Sequence, residues 1–234
     1  MARRLPRLTT RMVGRSGDLA RLRARLERHR LAVVAGMPGV GKSTLALAYA
    51  EAWAEAGTGP VCWIAVARAS SIAALAGEVS RQLEVAHYDQ DADDDPRLAE
   101  LMARIDRERA LVVLDDLHAL ADAPRARLLA AARRGLGRGR WIATSRERCD
   151  AALVLAPLDR AAAAELCAGL VALFGPGLAF ERAWGVSRGN PFLLRQAHIG
   201  AVGDLNPLDD AYAGLDGDTR VLALALALAS APLP

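Results

Sequence analysis

The sequence predicts an α/β protein with a five-stranded, mainly parallel sheet sandwiched by helices, followed by a small helical lid. Two observations predict this fold. Five short apolar runs alternate with helix-forming segments up to Pro157, as expected for consecutive βα units. After Pro157 only helix-forming segments follow. We therefore divide the chain into a sheet domain at 1–157, a lid at 158–205, and a linker with the start of a further domain at 206–234.

Each predicted strand is a continuous apolar run, typical of a parallel strand that is buried on both faces. The strands lie at 31–35, 61–66, 110–114, 141–143 and 152–155. The predicted helices have apolar residues at helical spacing, or begin at a capping residue or a proline. They span 19–30, 44–53, 70–83, 96–107, 124–134, 159–174, 178–186 and 219–229, with another after 194. Asp18 is the expected N-cap of the first helix, and the acidic segment 89–95 is an expected loop.

Composition excludes several classes of protein. The chain has 234 residues, of which 53% are hydrophobic and 24% charged, so it can form a core and is not disordered throughout. No apolar run reaches the roughly 18 residues that a membrane-spanning helix needs. No secretion signal is visible, and the three cysteines lack the spacing of metal ligands. We expect a soluble, cytoplasmic protein without membrane contact or a disulfide framework.

One glycine-rich segment matches a phosphate-binding loop. Residues 36–44 read GMPGVGKST and fit the pattern G-x-x-x-x-G-K-[ST], between a predicted strand and a predicted helix. Glycines allow the backbone to wrap a phosphate, whose charge the inward N–H groups and the helix N-terminus stabilise. Lys42 is expected to contact the β- and γ-phosphates, and the Ser43 hydroxyl to bind Mg²⁺. The nucleotide-binding residues predicted in this loop are Gly36, Pro38, Gly39, Val40, Gly41, Lys42, Ser43 and Thr44.

Lysine usage strengthens this interpretation. The chain has 30 basic residues, and Lys42 is its single lysine. Since arginine stands at every other basic position, a lysine retained in the loop indicates a need for the compact ammonium group. The net charge of +3 is weak evidence for nucleic acid, because the arginine enrichment extends over the whole chain.

Two carboxylates follow the third predicted strand. Asp115 and Asp116 stand at its carboxyl end, where ligands bind in open parallel sheets. Asp115 is the predicted Mg²⁺ ligand, together with Ser43. Asp116 is predicted to orient the attacking water and to help deprotonate it. The alternative for Asp116 is that it only caps the segment that follows.

The fourth predicted strand also ends in polar residues. Thr144 and Arg146 come directly at its carboxyl end. Thr144 is a candidate to hydrogen-bond the attacking water or the γ-phosphate. Arg146 is a candidate to pair with the γ-phosphate, which would distinguish a triphosphate from a diphosphate. The alternative for Arg146 is a surface arginine in an arginine-rich protein.

Taken in order, these motifs resemble the nucleotide-binding core of the STAND ATPases, the signal-transduction ATPases with numerous domains, of the NB-ARC and AP-ATPase type. Two further segments carry the resemblance. Residues 12–15 are similar to the family's entry motif, and residues 189–191, Gly-Asn-Pro, to its lid motif. The resemblance implies that Val13 and Arg15 belong to a segment that contacts adenine, and that Pro191 packs near adenine.

The chain departs from the family's pattern in two respects. Ser16 stands where the entry motif usually has an acidic residue, and the nearest acid is Asp18. The winged-helix domain expected after the lid is absent or only begun, and no effector or sensor domain is visible. The chain therefore resembles the excised core of a longer protein.

The resemblance implies a switch that binds ATP or ADP and hydrolyses ATP slowly with Mg²⁺, an enzyme only in the sense of a weak ATPase. ADP would hold a closed monomer, and exchange for ATP would permit a homo-oligomer to form. The expected partners are the nucleotide and the other domains of a longer parent chain. The predicted catalytic residues are Lys42, Asp115, Asp116 and Arg146.

Two other functions compete with the switch. A P-loop ATPase acting on nucleic acid would use the arginines at 133, 134, 138 and 140, but that segment lacks the aromatic residues that stack on bases. Nucleic-acid binding by this segment is therefore not expected. A phosphotransferase would need a second substrate site, and the sequence offers no such constellation. Adenine is favoured over guanine because the lysine-containing guanine-reading motif is missing, Lys42 being the single lysine.

Overall fold

The computed structural model describes residues 5–6, 12–66, 71–84, 94–134, 137–149 and 151–202. It has the predicted α/β architecture, a parallel five-stranded sheet flanked by helices. The strands stand in the order β2-β3-β4-β1-β5, and each neighbouring pair is parallel. They are β1 (Leu31–Ala35), β2 (Val61–Ala65), β3 (Leu111–Asp115), β4 (Arg140–Ser145) and β5 (Leu153–Val154).

Eight α-helices lie in the described part of the chain. They are α1 (Ser16–Arg28), α2 (Lys42–Glu55), α3 (Ile72–Gln82), α4 (Asp94–Arg107), α5 (Asp122–Arg134), α6 (Arg160–Phe174), α7 (Phe180–Ser187) and α8 (Pro191–Val202). A 3-10 turn at Leu117–Ala119 follows β3. Among these described residues, no helix is long and apolar enough to cross a lipid bilayer.

Contacts within the chain divide it into two compact units. The sheet unit comprises Met1–Gly36 and Lys42–Leu155, and the helical unit comprises Met37–Gly41 and Ala156–Pro234. The middle of the phosphate loop thus belongs to the helical unit, although both its flanks belong to the sheet unit. The domain bounds 1–157, 158–205 and 206–234 stay predictions, and the last of these segments lies outside the described residues.

The core of the sheet unit explains why the strand sequences are continuously apolar. All five residues of β1 and the first four of β3 are buried, because the sheet is covered by helices. Trp141, at the start of β4, is 1% exposed. The parallel register aligns the carboxyl ends of the strands: Ala35 of β1 pairs with Ser145 of β4, and Leu114 of β3 with Ala143. The polar residues that follow β1, β3 and β4 therefore meet at one edge of the sheet.

One cap prediction is wrong. Helix α1 begins at Ser16, and Asp18 lies in its first turn instead of capping it. The Asp18 carboxylate accepts hydrogen bonds from Arg15 and Arg21, both at 3.0 Å. A carboxylate in the first turn is also stabilised by the partial positive charge of the helix N-terminus, so the residue favours a helix start without capping it.

Several helix boundaries differ from the expected ones by a few residues, and two of them concern segments discussed above. The end of the acidic segment is helical, since α4 begins at Asp94; the rest of that segment, 89–93, lies outside the described residues. Helix α8 begins at Pro191 and not after residue 194, because proline is well accommodated at the first helical position. The predicted helix at 219–229 lies outside the described residues.

Cysteine reactivity provides a test of this fold. Cys62 in β2 is 0% exposed, and burial, together with the smaller effect of the Glu78 carboxylate, raises its pKa to about 12. Cys149 is exposed. Because the thiolate is the nucleophile, we expect iodoacetamide at neutral pH to alkylate Cys149 about 100-fold faster than Cys62 in the native protein. Peptide mass spectrometry measures this, and in denaturant the two rates should converge. Fast native alkylation of Cys62 would contradict the position of β2 in the core.

Candidate functional site

The phosphate loop joins β1 to α2. Gly39 and Gly41 have φ values of 74° and 101°, a backbone region that glycine adopts without the steric cost a side chain imposes. Lys42, Ser43 and Thr44 form the first turn of α2, at the end of the helix where the partial positive charge of the helix dipole lies. That turn contains no acidic residue, so its partial positive charge is not offset by a carboxylate of its own. The local structure therefore suits a bound anion.

Lys42 is buried at the start of α2. It is 6% exposed, and its Nζ donates a hydrogen bond to the Gly36 carbonyl oxygen at 3.1 Å. Desolvation by burial lowers the pKa of Lys42; the carboxylates of Asp116 and Asp115 oppose this shift, and Arg146 adds to it. Lys42 thus interacts electrostatically with the other three residues predicted to be catalytic. Because burial disfavours the charged form of Lys42, a phosphate beside it would stabilise the ammonium by supplying an opposite charge.

Three oxygen-bearing side chains converge at the carboxyl ends of β3 and β4. The hydroxyls of Ser43 and Thr144 both donate to Asp115 Oδ1, each at 2.7 Å. Thr144 Oγ1 in turn accepts a hydrogen bond from the backbone N–H of Asp116 at 2.9 Å. Thr144 is 0% exposed, so this network is buried on the β4 side. The sequence predicts a hydrogen bond from Thr144 to the attacking water or the γ-phosphate, whereas in the structure the Thr144 hydroxyl donates to Asp115.

The pair formed by Ser43 and Asp115 fits Mg²⁺. This cation prefers hard oxygen ligands in octahedral geometry at about 2.0–2.1 Å, which places neighbouring ligand oxygens about 2.9 Å apart. The Ser43 hydroxyl and Asp115 Oδ1 are 2.7 Å apart. The two predicted metal ligands are therefore close enough to share one cation.

Asp116 has an unusual backbone conformation. Its φ and ψ are 61° and 49°, the left-handed region, which aspartate tolerates better than most residues. Its side chain makes no capping hydrogen bond to the 3-10 turn that follows. The alternative of a mere cap therefore lacks support. The carboxylate is 48% exposed, so water can reach it.

The structure shows the exposure and contacts of Arg146 and of the entry segment, residues 12–15, whose roles in nucleotide binding stay predictions. Arg146 is exposed directly after β4. Arg15 is 7% exposed and pairs with Asp18 at 3.0 Å, while Val13 is half-buried. The acidic partner that the entry motif lacks at Ser16 is thus present at Asp18, one helical turn from Arg15.

In the helical unit, Asn190 belongs to the predicted lid motif, but the sequence assigns it no contact of its own. Its Oδ1 accepts hydrogen bonds from the backbone N–H groups of Phe192 and Leu193, at 3.0 and 3.3 Å, so it caps α8. Its Nδ2 donates to the Pro38 carbonyl oxygen of the phosphate loop at 2.9 Å. An asparagine directly before a proline at a helix start is a capping signal, which identifies the cap but not the second contact. Pro191 forms the first residue of α8, and its contact with adenine stays a prediction.

A family model described as the AAA ATPase domain matches residues 11–142, more than half of the chain. This range contains the phosphate loop, both carboxylates and the first part of β4. Among curated proteins, none matches the sequence significantly.

Solved structures of low sequence identity share the fold. A Walker-type ATPase of Pyrococcus abyssi gives a TM-score of 0.61 at 17% identity, covering 98% of this chain and 77% of that one. The ORC2 protein of Aeropyrum pernix, in ADPNP–ADP complexes, gives 0.58 at 16% identity, covering 98% and 70%. A STAND protein with a tetratricopeptide repeat sensor from Pyrococcus horikoshii gives 0.59 at 17% identity, covering 81% and 30%.

Proposed function

The chain belongs to the AAA ATPase domain family, and from this premise we propose that it is an ATP- and ADP-binding switch with slow, Mg²⁺-dependent ATP hydrolysis. The observation that carries the proposal is the network of Ser43, Asp115 and Thr144, in which the predicted metal ligands are already hydrogen-bonded. Lys42 is electrostatically coupled to the same carboxylates. An ATPase needs these groups together at one site.

Nucleotide binding is assigned to the loop and the first turn of α2. The N–H groups of that turn and the Lys42 ammonium bind the phosphates, and Ser43 with Asp115 holds Mg²⁺. When bound, the cation neutralises charge on the phosphate oxygens. On phosphate binding, Lys42 exchanges its hydrogen bond with the Gly36 carbonyl for phosphate oxygens.

Hydrolysis is assigned to Asp116. Its exposed carboxylate accepts a proton from water as the water oxygen attacks the γ-phosphorus and the bond to the β-phosphate oxygen breaks. Thr144 holds the Asp116 backbone through its N–H, so the carboxylate keeps its direction. Lys42 stabilises the charge that develops on the leaving oxygens.

The switch requires a group that distinguishes ATP from ADP. Nucleotide exchange shifts a conformational equilibrium only if the γ-phosphate binds one state better than the other. Arg146 is the proposed contact, because it is exposed at the end of β4 and already acts electrostatically on Lys42. The proposed output is a conformational change or a homo-oligomer within a longer signalling protein.

The finer assignment to the STAND class rests on two supports. The ordered motifs of the sequence resemble those of that class, and a STAND protein is among the solved structures with this fold. The ORC2 relative was solved with ADPNP and ADP, which supports adenine as the base. Residues Val13, Arg15 and Pro191 are the proposed adenine contacts.

The alternative of a nucleic-acid-binding ATPase depends on the arginines at 133, 134, 138 and 140, and the structure gives one of them another role. Arg140 uses its guanidinium on the backbone carbonyl oxygens of Leu26, Arg138 and Gly139, at 2.8 to 3.1 Å. It therefore fastens the start of β4 to the end of α1. Arg133, Arg134 and Arg138 are exposed, as are arginines elsewhere in the chain.

Calorimetric titration tests the proposal directly. Nucleotide-stripped protein with Mg²⁺ is titrated with ADP, with a non-hydrolysable ATP analogue, and with GDP as control. We expect binding of both adenine nucleotides with different affinities, and GDP at least about 10-fold weaker, which corresponds to roughly 1.4 kcal/mol. Absence of adenine-nucleotide binding by folded protein would overturn the proposed function.

Replacing Thr144 by valine tests the buried network. Valine keeps the volume but removes the hydroxyl, so the Asp116 N–H and the Asp115 carboxylate each lose a partner. Hydrogen bonds to charged groups contribute about 1.5–3 kcal/mol, so we expect single-turnover ATP hydrolysis to slow about 10- to 100-fold. ADP affinity should change little, and Thr144→Ser should restore the rate. Wild-type hydrolysis by Thr144→Val would show that this hydroxyl does not position the carboxylates.

A further inference from the structure

The start of α8 is joined to the phosphate loop by both ends of one amide. Asn190 is 3% exposed, so its polar atoms depend on protein partners. Its oxygen caps α8 through Phe192 and Leu193, and its nitrogen donates to the Pro38 carbonyl oxygen at 2.9 Å. Capping alone needs only the oxygen, which serine or aspartate also supplies. The amide nitrogen therefore makes a contact that capping does not require.

A second hydrogen bond joins the same two segments. The backbone N–H of Phe192 also donates to the Gly39 carbonyl oxygen, at 3.2 Å. Successive carbonyls of the phosphate loop are thus held by the first turn of α8 and its cap. In a trans peptide the C=O and N–H point in opposite directions, so fixing the Pro38 carbonyl also fixes the direction of the Gly39 N–H. Phosphate loops bind anions through such N–H groups.

The approach of loop and helix also depends on a glycine. A Cβ at Gly39 would lie 2.6 Å from Phe192 Cβ and 2.9 Å from Asn190 Oδ1, closer than real Cβ contacts. Gly39 also has φ 74°, which disfavours any residue with a side chain. Two hydrogen bonds and a steric requirement therefore define the same contact.

We propose that Asn190 is a positioning residue that couples nucleotide occupancy of the phosphate loop to helix α8. A phosphate that orders the loop orders the Pro38–Gly39 peptide, and through Nδ2 of Asn190 it stabilises the start of α8. The coupling is reciprocal, so displacement of α8 weakens the phosphate site. The backbone continues the connection, since the Gly189 carbonyl accepts a hydrogen bond from Leu158, next to the cap of α6, at 2.8 Å.

This inference rests on the proposed function, and a variant series separates the two. Asn190→Ser keeps a neutral capping oxygen but is too short to reach Pro38. Asn190→Asp keeps the capping geometry and lacks the N–H donor, so it serves if the serine variant folds poorly. Gln196→Ala, which removes an amide from the same helix, is the matched control.

The readout is amide hydrogen exchange with and without ADP and Mg²⁺. In the wild type, ADP should slow exchange in peptides covering 39–44 and also in those covering 192–198, the latter by about 5-fold or more. In Asn190→Ser and Asn190→Asp, protection of 39–44 should persist and that of 192–198 should fall below about 2-fold, within the range expected for loss of one hydrogen bond. The Gln196→Ala variant should behave as the wild type.

Each outcome has one meaning. ADP-dependent protection of 192–198 that survives in both Asn190 variants would overturn the coupling while leaving the proposed function intact. The same holds if the wild type protects 39–44 but not 192–198. Failure of the wild-type protein to bind ADP would overturn the proposed function, and the coupling with it.

Discussion

Asp116→Asn is expected to reduce single-turnover ATP hydrolysis about 100-fold or more while preserving nucleotide binding, since a positioned general base contributes about 10²- to 10⁴-fold. Asparagine keeps the size of the side chain but cannot accept a proton from water. The backbone restraint remains, because the Asp116 N–H still donates to Thr144. The left-handed conformation also remains accessible, since asparagine adopts it as readily as aspartate does. The effect is therefore chemical and not a loss of structure.

The Asp116→Asn substitution should not weaken nucleotide affinity, although it slows hydrolysis. Of the two carboxylates that raise the pKa of Lys42, Asp116 has the larger effect. The same carboxylate repels a bound phosphate, because both are negatively charged. Removing that charge should leave ATP affinity unchanged or slightly increased, as measured by calorimetry with the non-hydrolysable analogue. The control is Asp122→Asn, the same substitution at a carboxylate that is 92% exposed at the start of α5. Unchanged hydrolysis in Asp116→Asn would remove Asp116 from the mechanism.

Lys42→Ala is expected to weaken ATP and ADP binding about 10- to 100-fold, because hydrogen bonds to charged groups contribute about 1.5–3 kcal/mol. The lysine is buried and coupled to two carboxylates, so its loss removes the positive charge that offsets them. A phosphate entering the variant would face Asp115 and Asp116 without that compensation. The loss should be larger for ATP than for ADP, since the ammonium is assigned to the β- and γ-phosphates.

Two further variants of Lys42 test whether the loss of nucleotide affinity comes from the missing charge or from the shape of the side chain. Lys42→Met retains the buried stem without the charge, so it should bind as weakly as Lys42→Ala while folding as stably as the wild type. Lys42→Arg retains the charge in a wider, planar group, and we expect it also to bind weakly, because only the compact ammonium fits beside the Gly36 carbonyl. Arg134→Ala, at an exposed arginine, is the control for a lost positive charge. Wild-type affinity in Lys42→Ala would contradict the site assignment.

Local features of the sequence were sufficient for most of the architecture. Parallel buried strands need continuous apolar runs, and β1 and β3 could be recognised because their burial leaves no room for polar alternation. Asp159 and Ser71 cap α6 and α3 as helix signals predict. Boundaries failed where two signals competed, as at Asp18, whose carboxylate serves the first helical turn and Arg15 at once.

The candidate site also has parts that the local sequence predicts and parts that it does not. The loop from Gly36 to Thr44 is contiguous in sequence, so its pattern of glycines, lysine and hydroxyls indicated a phosphate site without reference to any other segment. Thr144 was visible as a polar residue at a strand end, but its partner was not. The carboxylate and the N–H that it contacts lie 29 and 28 residues away along the chain, respectively, beyond the reach of any local pattern.

By itself, then, the sequence determined the parallel α/β class, the phosphate loop and the acidic strand end, because each depends on residues that are neighbours in the chain. Only the tertiary structure decided that β4 lies between β1 and β3, which brings Thr144 against Asp115 and Asp116. It also decided that Asn190 reaches the Pro38 carbonyl, 152 residues away. Strand order and helix docking follow from the packing of whole elements, whose free energy is spread over many side chains and encoded in no short motif.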